Sequence, residues 1–320
     1  MKRRQFIKGS AILGVSIAAP TLISCDSGMF SSKTYRKVFK ILNADRTKVG
    51  TLPILRAFAG DHLDHVSPYV LFDEFGPVDL RAGNDPLRVD AHPHAGVIPT
   101  TYFLSGTGHH KDSLNYDFQI ERGDFMMFSS GKGAIHMEET GQKMFDEGGK
   151  YHGFQIWLNM PSKYKYVDPT THVYQENKMD IIDNDNYWAK VVLGELFKAK
   201  SQIELLSPAF YYHIKMKPNG RIDIPTDPLH NAFVYVIDGN VEIEEQRKLK
   251  TNQIALYQRG ENYVNLYAKE NAELLVLGGQ PFNEPVFSYG PFVMNNEDQI
   301  RQCVSDYNSG KMGNPDIVNR

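Results

Sequence analysis

The sequence predicts an all-β chain of the sandwich or barrel type, built twice over. Three observations carry this expectation: short aromatic and β-branched runs, turn residues after almost every run, and a second half that repeats the first. The runs at 69–72, 100–104, 125–128 and 154–158 each have the length of a strand and are bounded by Gly, Pro, Asn or Asp nearby. Thr101-Tyr102-Phe103-Leu104-Ser105-Gly106 has a counterpart in Phe233-Val234-Tyr235-Val236-Ile237-Asp238-Gly239, each an alternating strand that ends at a turn glycine. Ile120-Glu121-Arg122-Gly123-Asp124-Phe125 has a looser analogue in Leu249-Lys250-Thr251-Asn252-Gln253-Ile254. A period of about 130 residues is too long for a solenoid and points to a duplicated domain.

A Pro-, Lys- and Tyr-rich stretch at 160–169 divides the halves, giving one domain over 37–165 and another over 166–296. Helical periodicity is scarce. It is best at 297–307, where Ile300, Val304 and Tyr307 fall at i, i+4 and i+7, so the 297–320 tail is expected to begin as a short helix packed on the outside.

The N-terminus reads as an address. Lys2-Arg3-Arg4 precedes Phe6, Ile7 and Lys8 and then a mildly apolar run at 11–23, too short to span a bilayer as a helix. The paired arginines resemble the twin-arginine signal, whose machinery moves folded proteins. Leu22-Ile23-Ser24-Cys25 resembles a bacterial lipobox, so residues 1–24 are expected to be removed, Cys25 to be acylated, and 25–36 to form a lipidated spacer. The expected location is beyond the inner membrane of a bacterium, anchored at the periplasmic side or cell surface.

The only other cysteine is Cys303, so no disulfide framework exists and stability must come from core burial. Cys303 itself reads as a buried small hydrophobe. Net charge is −3, and loss of the basic leader leaves about −7, which gives no electrostatic footprint for nucleic acid.

The chemistry is carried by two pairs, His92-x-His94 and His136-x-Glu138. In a strand, residues i and i+2 share a face, so each pair projects together, and two such strands can bring three imidazoles and a carboxylate to one point. That donor set suits Fe, Mn, Ni, Cu or Zn and leaves positions free on an octahedral ion for water, dioxygen or a chelating substrate. Gly106, Gly123, Gly131 and Gly133 punctuate the interval as tight turns between strands would require. By contrast, His109 and His110 read as a solvated hairpin tip, and Trp157 as core packing.

Asp90-Ala91-His92-Pro93-His94-Ala95-Gly96, His110-Lys111-Asp112-Ser113, and Gly131-Lys132-Gly133-Ala134-Ile135-His136-Met137-Glu138 together resemble the pirin family of the cupin superfamily. Later segments are similar too, among them Phe154-Gln155-Ile156-Trp157-Leu158-Asn159-Met160-Pro161 and Tyr289-Gly290-Pro291-Phe292-Val293-Met294-Asn295. The resemblance covers roughly 37–313. It implies a bicupin: a metal-binding N-terminal barrel over 37–165 and a C-terminal barrel without metal over 166–296, where His213 and His230 stand isolated. It implies one divalent metal, iron first, on His92, His94, His136 and Glu138, with Glu138 also serving as the catalytic proton acceptor.

Two functions follow from the resemblance. One is a dioxygenase of quercetin-like phenolic compounds, whose partners are a small aromatic substrate and dioxygen. The other is a non-catalytic, metal-dependent or redox-responsive module that binds a protein partner. The chain departs from the family pattern after His94, with Ala95, Val97 and Ile98 in place of an arginine, an aromatic residue and a glutamate. An apolar rim at Ala95 and Ile98 is expected to loosen the ligands and to favour hydrophobic over heavily hydroxylated aromatics.

Overall fold

Strand alternation sorts the side chains of this chain into layers. The computed structural model describes residues 33–244 and 247–318, so Arg3, Arg4 and Cys25 lie outside the described residues. Two seven-stranded antiparallel sheets form the centre. The first runs Thr170–Tyr174, Phe125–Ser129, Val97–Ser105, Gly149–Asn159, Tyr69–Leu80, Leu52–Ala59 and Asp45–Val49. The second runs Val38–Asn43, Gln253–Tyr257, Asn231–Asp238, Ala272–Gly279, Ala209–Met216, Tyr187–Leu193 and Ile181–Asp183. Six strands follow the same order in both sheets, as duplication requires. A four-stranded sheet covers each: Arg88–His94, Ala134–Thr140, Gly108–Asp112 and Asp117–Ile120 on the first, Gly220–Pro225, Tyr263–Ala268, Asn240–Ile243 and Arg247–Lys250 on the second. The protein is an all-β bicupin.

The outermost strand of each large sheet comes from the other half. Val38–Asn43 pairs with Gln253–Tyr257, and Thr170–Tyr174 pairs with Phe125–Ser129. A linear division at 165/166 therefore misassigns two strands, because partners about 210 residues apart leave no mark in a local pattern.

The second barrel is filled by Ile214, Val234, Val236, Leu274 and Val276 from its large sheet, and by Ile222, Ile224, Val264 and Leu266 from its small one, all buried. The opposite faces of the two large sheets meet in an aromatic layer. Phe72 lies 4.8 Å from Tyr235 and Phe58 lies 5.6 Å from Phe233, ring centre to ring centre. Each such ring contributes roughly 1.5–3 kcal/mol on burial. Polar bonds cross the same layer: the Tyr69 hydroxyl donates to the Phe210 carbonyl at 2.8 Å, and the Tyr102 hydroxyl meets His213 Nδ1 at 2.9 Å. His213 is thus an interface residue.

After the second barrel the chain returns to the first. The hairpin of Phe287–Tyr289 and Phe292–Met294 leads into the helix Glu297–Asn308, capped by the Asn296 side chain accepting from Gln299 N–H. Cys303 is buried among Ala95, Ile135, Met137 and Phe292, so the helix covers the outside of the first barrel as its periodicity predicts.

Candidate metal centre

Arg88–His94 and Ala134–Thr140 are neighbours in the first barrel's small sheet, with His136 opposite His92 and Ala134 opposite His94. Alternation then puts three imidazoles on the barrel's inner face. His92 Nε2 lies 3.0 Å from His94 Nε2 and 3.2 Å from His136 Nε2. The Nδ1–H of His92 donates to the Asp90 carbonyl at 2.7 Å, which leaves its Nε2 a bare lone pair. Burial pushes His94 and His136 well below the ordinary histidine range, with the neighbouring His92 adding to it, and burial lowers His92 as well. A cation between them would let all three imidazoles present lone pairs at these distances. Nitrogens ~2.1 Å from an ion and at right angles sit ~3.0 Å apart, close to both distances measured from His92 Nε2.

A bulge follows His136, so that Glu138 pairs with Val89 on one side and with His110 on the other. Its carboxylate accepts from Thr101 Oγ1 at 2.8 Å and from Gln155 Nε2 at 2.7 Å. The donor atoms of His92, His94 and His136 lie within 4.8 Å of one another, and so do those of His110, His136 and Glu138. His136 therefore links the three-imidazole cluster to the carboxylate.

His110 is not a hairpin tip. It is fully buried in Gly108–Asp112, stacked on Phe118, with Nε2 3.1 Å from Asp112 Oδ2 and Nδ1 3.8 Å from Glu138 Oε1. Burial opposes its charge, but Asp112 and Glu138 outweigh that and raise its pKa. The His-x-Asp spacing at 110 and 112 was the available signal, since both residues share a strand face. His109 beside it pairs with Asp117 at 2.7 Å.

A cavity of about 500 Å³ opens beside the histidines, walled mainly by apolar side chains such as Ile54, Phe75, Phe103 and Tyr151 and closed on one side by Gly290 and Pro291 of the returning tail. Trp157 belongs to this wall as well as packing on Val70, Val97 and Val293, and its ring stands edge-on to His94 at 4.8 Å.

The departures at Ala95 and Ile98 do not touch the cavity, contrary to the expectation of an apolar rim. Along Val97–Ser105, Thr101 and Phe103 face the cavity, so Ile98 and Tyr102 face the aromatic layer between the sheets. Ala95 is buried under the tail, where its carbonyl accepts from Val293 N–H at 3.0 Å. Gly96 follows with φ +72°, and a Cβ there would meet the Val293 carbonyl oxygen at 2.2 Å. Ile98→Glu should therefore destabilise the fold by ~3–5 kcal/mol through an unpaired buried carboxylate. Thermal denaturation checks this, and an unchanged midpoint would refute it.

In the second barrel the corresponding rungs are apolar, Leu266 opposite Ile222 and Val264 opposite Ile224. The fold and the site define a bicupin that gathers histidines around a cavity in its first barrel. The Pirin family model matches residues 51–158, and the Pirin C-terminal cupin domain matches 211–313. The chain is 30% identical over 287 residues to a putative quercetin 2,3-dioxygenase of Vibrio cholerae, covering 86% of this chain and 97% of that relative. A crystal structure of quercetin 2,3-dioxygenase from Acinetobacter baumannii matches with a TM-score of 0.85 at 28% identity, covering 88% of this chain and 100% of the other. A bacterial pirin from Escherichia coli in complex with nickel(II) matches with a TM-score of 0.59 at 18% identity, covering 76% and 100%, a likeness of fold alone. The chain belongs to the pirin family. Its three-histidine cluster is a donor set that could hold a metal ion.

Proposed function

We propose that this pirin is a metal-dependent dioxygenase of quercetin-like phenolic compounds. One observation carries the reading: three neutral imidazoles converge beside a largely apolar cavity large enough for an aromatic substrate. His92, His94 and His136 would hold the ion, with Glu138 as the fourth ligand; iron is the first choice. The bound metal would supply Lewis acidity and a route for electrons to dioxygen. Glu138, fixed by Thr101 and Gln155, is placed to take a proton from a substrate hydroxyl. The apolar walls keep water from the reacting ring.

Oxygen uptake by iron-loaded protein with quercetin tests the proposal. Turnover is expected to depend on metal, and Glu138→Gln to lower kcat by about 10²-fold. Full metal occupancy without uptake over a panel of phenolic compounds would favour the non-catalytic, redox-responsive binding module.

We further propose, from the twin-arginine-like and lipobox-like patterns of its N-terminus, that the protein is exported across the bacterial inner membrane. Residues 1–24 would direct folded export, which lets the metal be loaded before the site meets competing ions, and Cys25 would carry the lipid. Replacing Arg3 and Arg4 by Lys should trap the precursor. A Cys25→Ala form that still fractionates with membranes would end the lipoprotein proposal.

A further inference from the structure

Strand register lays a polar row across the cavity's large-sheet wall. Thr101 is opposite Gln155, Gln155 opposite Asp73, and Asp73 opposite Arg56, on four successive strands, and all four line the cavity. At ~4.8 Å between neighbouring strands the row is ~14 Å long. Its near end is bonded to Glu138. Its far end is a bidentate ion pair, Arg56 Nε to Asp73 Oδ1 at 2.8 Å and Nη2 to Oδ2 at 2.6 Å, with the arginine side chain still 34% exposed.

Near the histidines, Gln155 and Trp157 share a strand face and both line the cavity. Gln155 Oε1 and Trp157 Nε1 are buried and have no hydrogen-bond partner. A buried acceptor and a buried donor left unpaired are costly, so their position points to a ligand that satisfies both.

The far end also selects. The ion pair is neutral overall, and a carboxylate brought to Arg56 would meet Asp73 as well. A ring hydroxyl instead accepts from the guanidinium and donates to the carboxylate, gaining two charge-assisted bonds at no net charge.

We propose that Arg56 and Asp73 are the specificity-determining pair of this cavity and read the hydroxyl groups on the ring of the substrate farthest from the metal, while Gln155 and Trp157 bond the end beside the histidines. This rests on the reading of the cavity as a flavonol site, and it reverses the preference for poorly hydroxylated aromatics drawn from Ala95 and Ile98. The substrate is a planar molecule of linked rings with hydroxyls at both ends.

Isothermal titration calorimetry on metal-loaded protein without dioxygen tests the pair directly, using quercetin and 3-hydroxyflavone, which lacks the distal hydroxyls. Wild type should bind quercetin at least 10-fold more tightly. Because removing Arg56 alone strands a buried carboxylate, the variant is the double change Arg56→Met, Asp73→Leu, with folding checked by its thermal transition. It should lose the discrimination and keep its affinity for 3-hydroxyflavone. Trp157→Phe should weaken both ligands alike and preserve their ratio. Equal binding of the two flavonols by wild type, or an unchanged ratio in the double variant, overturns the proposal and leaves the flavonol reading standing. Binding of neither flavonol overturns that reading and the inference with it. A ligand with a distal carboxylate that outcompetes quercetin shows an anion site and overturns the assignment to hydroxyls.

Discussion

His94→Ala is expected to bring metal content from about one ion per chain to nearly none. The side chain is 1% exposed, and its Nε2 stands 3.0 Å from that of His92. Its loss removes one of three converging imidazoles. Losing an outer hydrogen-bond partner of a ligand already costs 10–100-fold in affinity, so loss of a ligand should cost more than about 100-fold. Elemental analysis of purified protein reads this, with exposed His172→Ala as the control that keeps its metal. Undiminished content in His94→Ala would remove His94 from the site.

The same experiment has a pH arm. All three imidazoles are held below the ordinary histidine value by burial, so in the fold they stay neutral, and able to bind, at pH values where exposed histidines are charged. Metal should therefore be retained to a lower pH than a cluster of exposed histidines would hold it. For the metal-free protein the sign is also fixed. The unfolded chain takes up protons near pH 6.5 and the folded one only below it, so stability should fall as pH drops from about 6.5 toward the folded values. A midpoint that rises on acidification would contradict the neutral cluster.

Lys165→Met should be the most damaging change outside the metal centre. The Lys165 side chain is fully buried, and its ammonium donates to the Gly96 carbonyl at 2.7 Å, Asn159 Oδ1 at 2.6 Å and the Val293 carbonyl at 2.7 Å. Three N–H groups meet three acceptors from separate parts of the chain: the residue two beyond His94, the end of the Gly149–Asn159 strand, and the returning tail. Methionine fills most of the volume but removes the ammonium from all three acceptors, and only the Gly96 carbonyl keeps another donor here, the Met160 N–H at 3.4 Å, so the cost is ~3–5 kcal/mol in total. The thermal midpoint should fall by roughly 10 °C. A drop of only a degree or two would show that the tail is held by its apolar contacts alone.

Much of this molecule was legible in the sequence, for physical reasons that differ by residue. The strands at 97–105 and 231–238 announce themselves because one face of each is buried in a barrel and the other in the aromatic layer, which gives long β-branched and aromatic runs. The histidine pairs are legible because the two-residue repeat of a strand is strict. The burial of His110 is not legible because a Gly-rich turn just before it imitates a hairpin tip, while the rings packed on it, Phe118, Phe128 and His136, lie in other strands. The place of Trp157 on the cavity wall, beside its core packing, is not legible because alternation tells which residues share a face and not whether that face meets core or cavity. Ala95 and Ile98 are close to His94 in sequence and not to the cavity, because Ala95 follows His94 directly and points away while Ile98 lies on the next strand, facing the aromatic layer.

The exchanged edge strands set a condition on synthesis. When the ribosome has made the first barrel's small sheet, the large sheet of that barrel still lacks Thr170–Tyr174, and its outer cover, Glu297–Asn308, comes more than a hundred residues later. Val38–Asn43, made early, must wait for Gln253–Tyr257. Neither half can complete itself alone, so the nascent protein carries open sheet edges until translation is nearly over. Denaturation should accordingly appear as one cooperative transition for both barrels, and a chain cut at the apparent boundary should yield two fragments that are soluble only when made together.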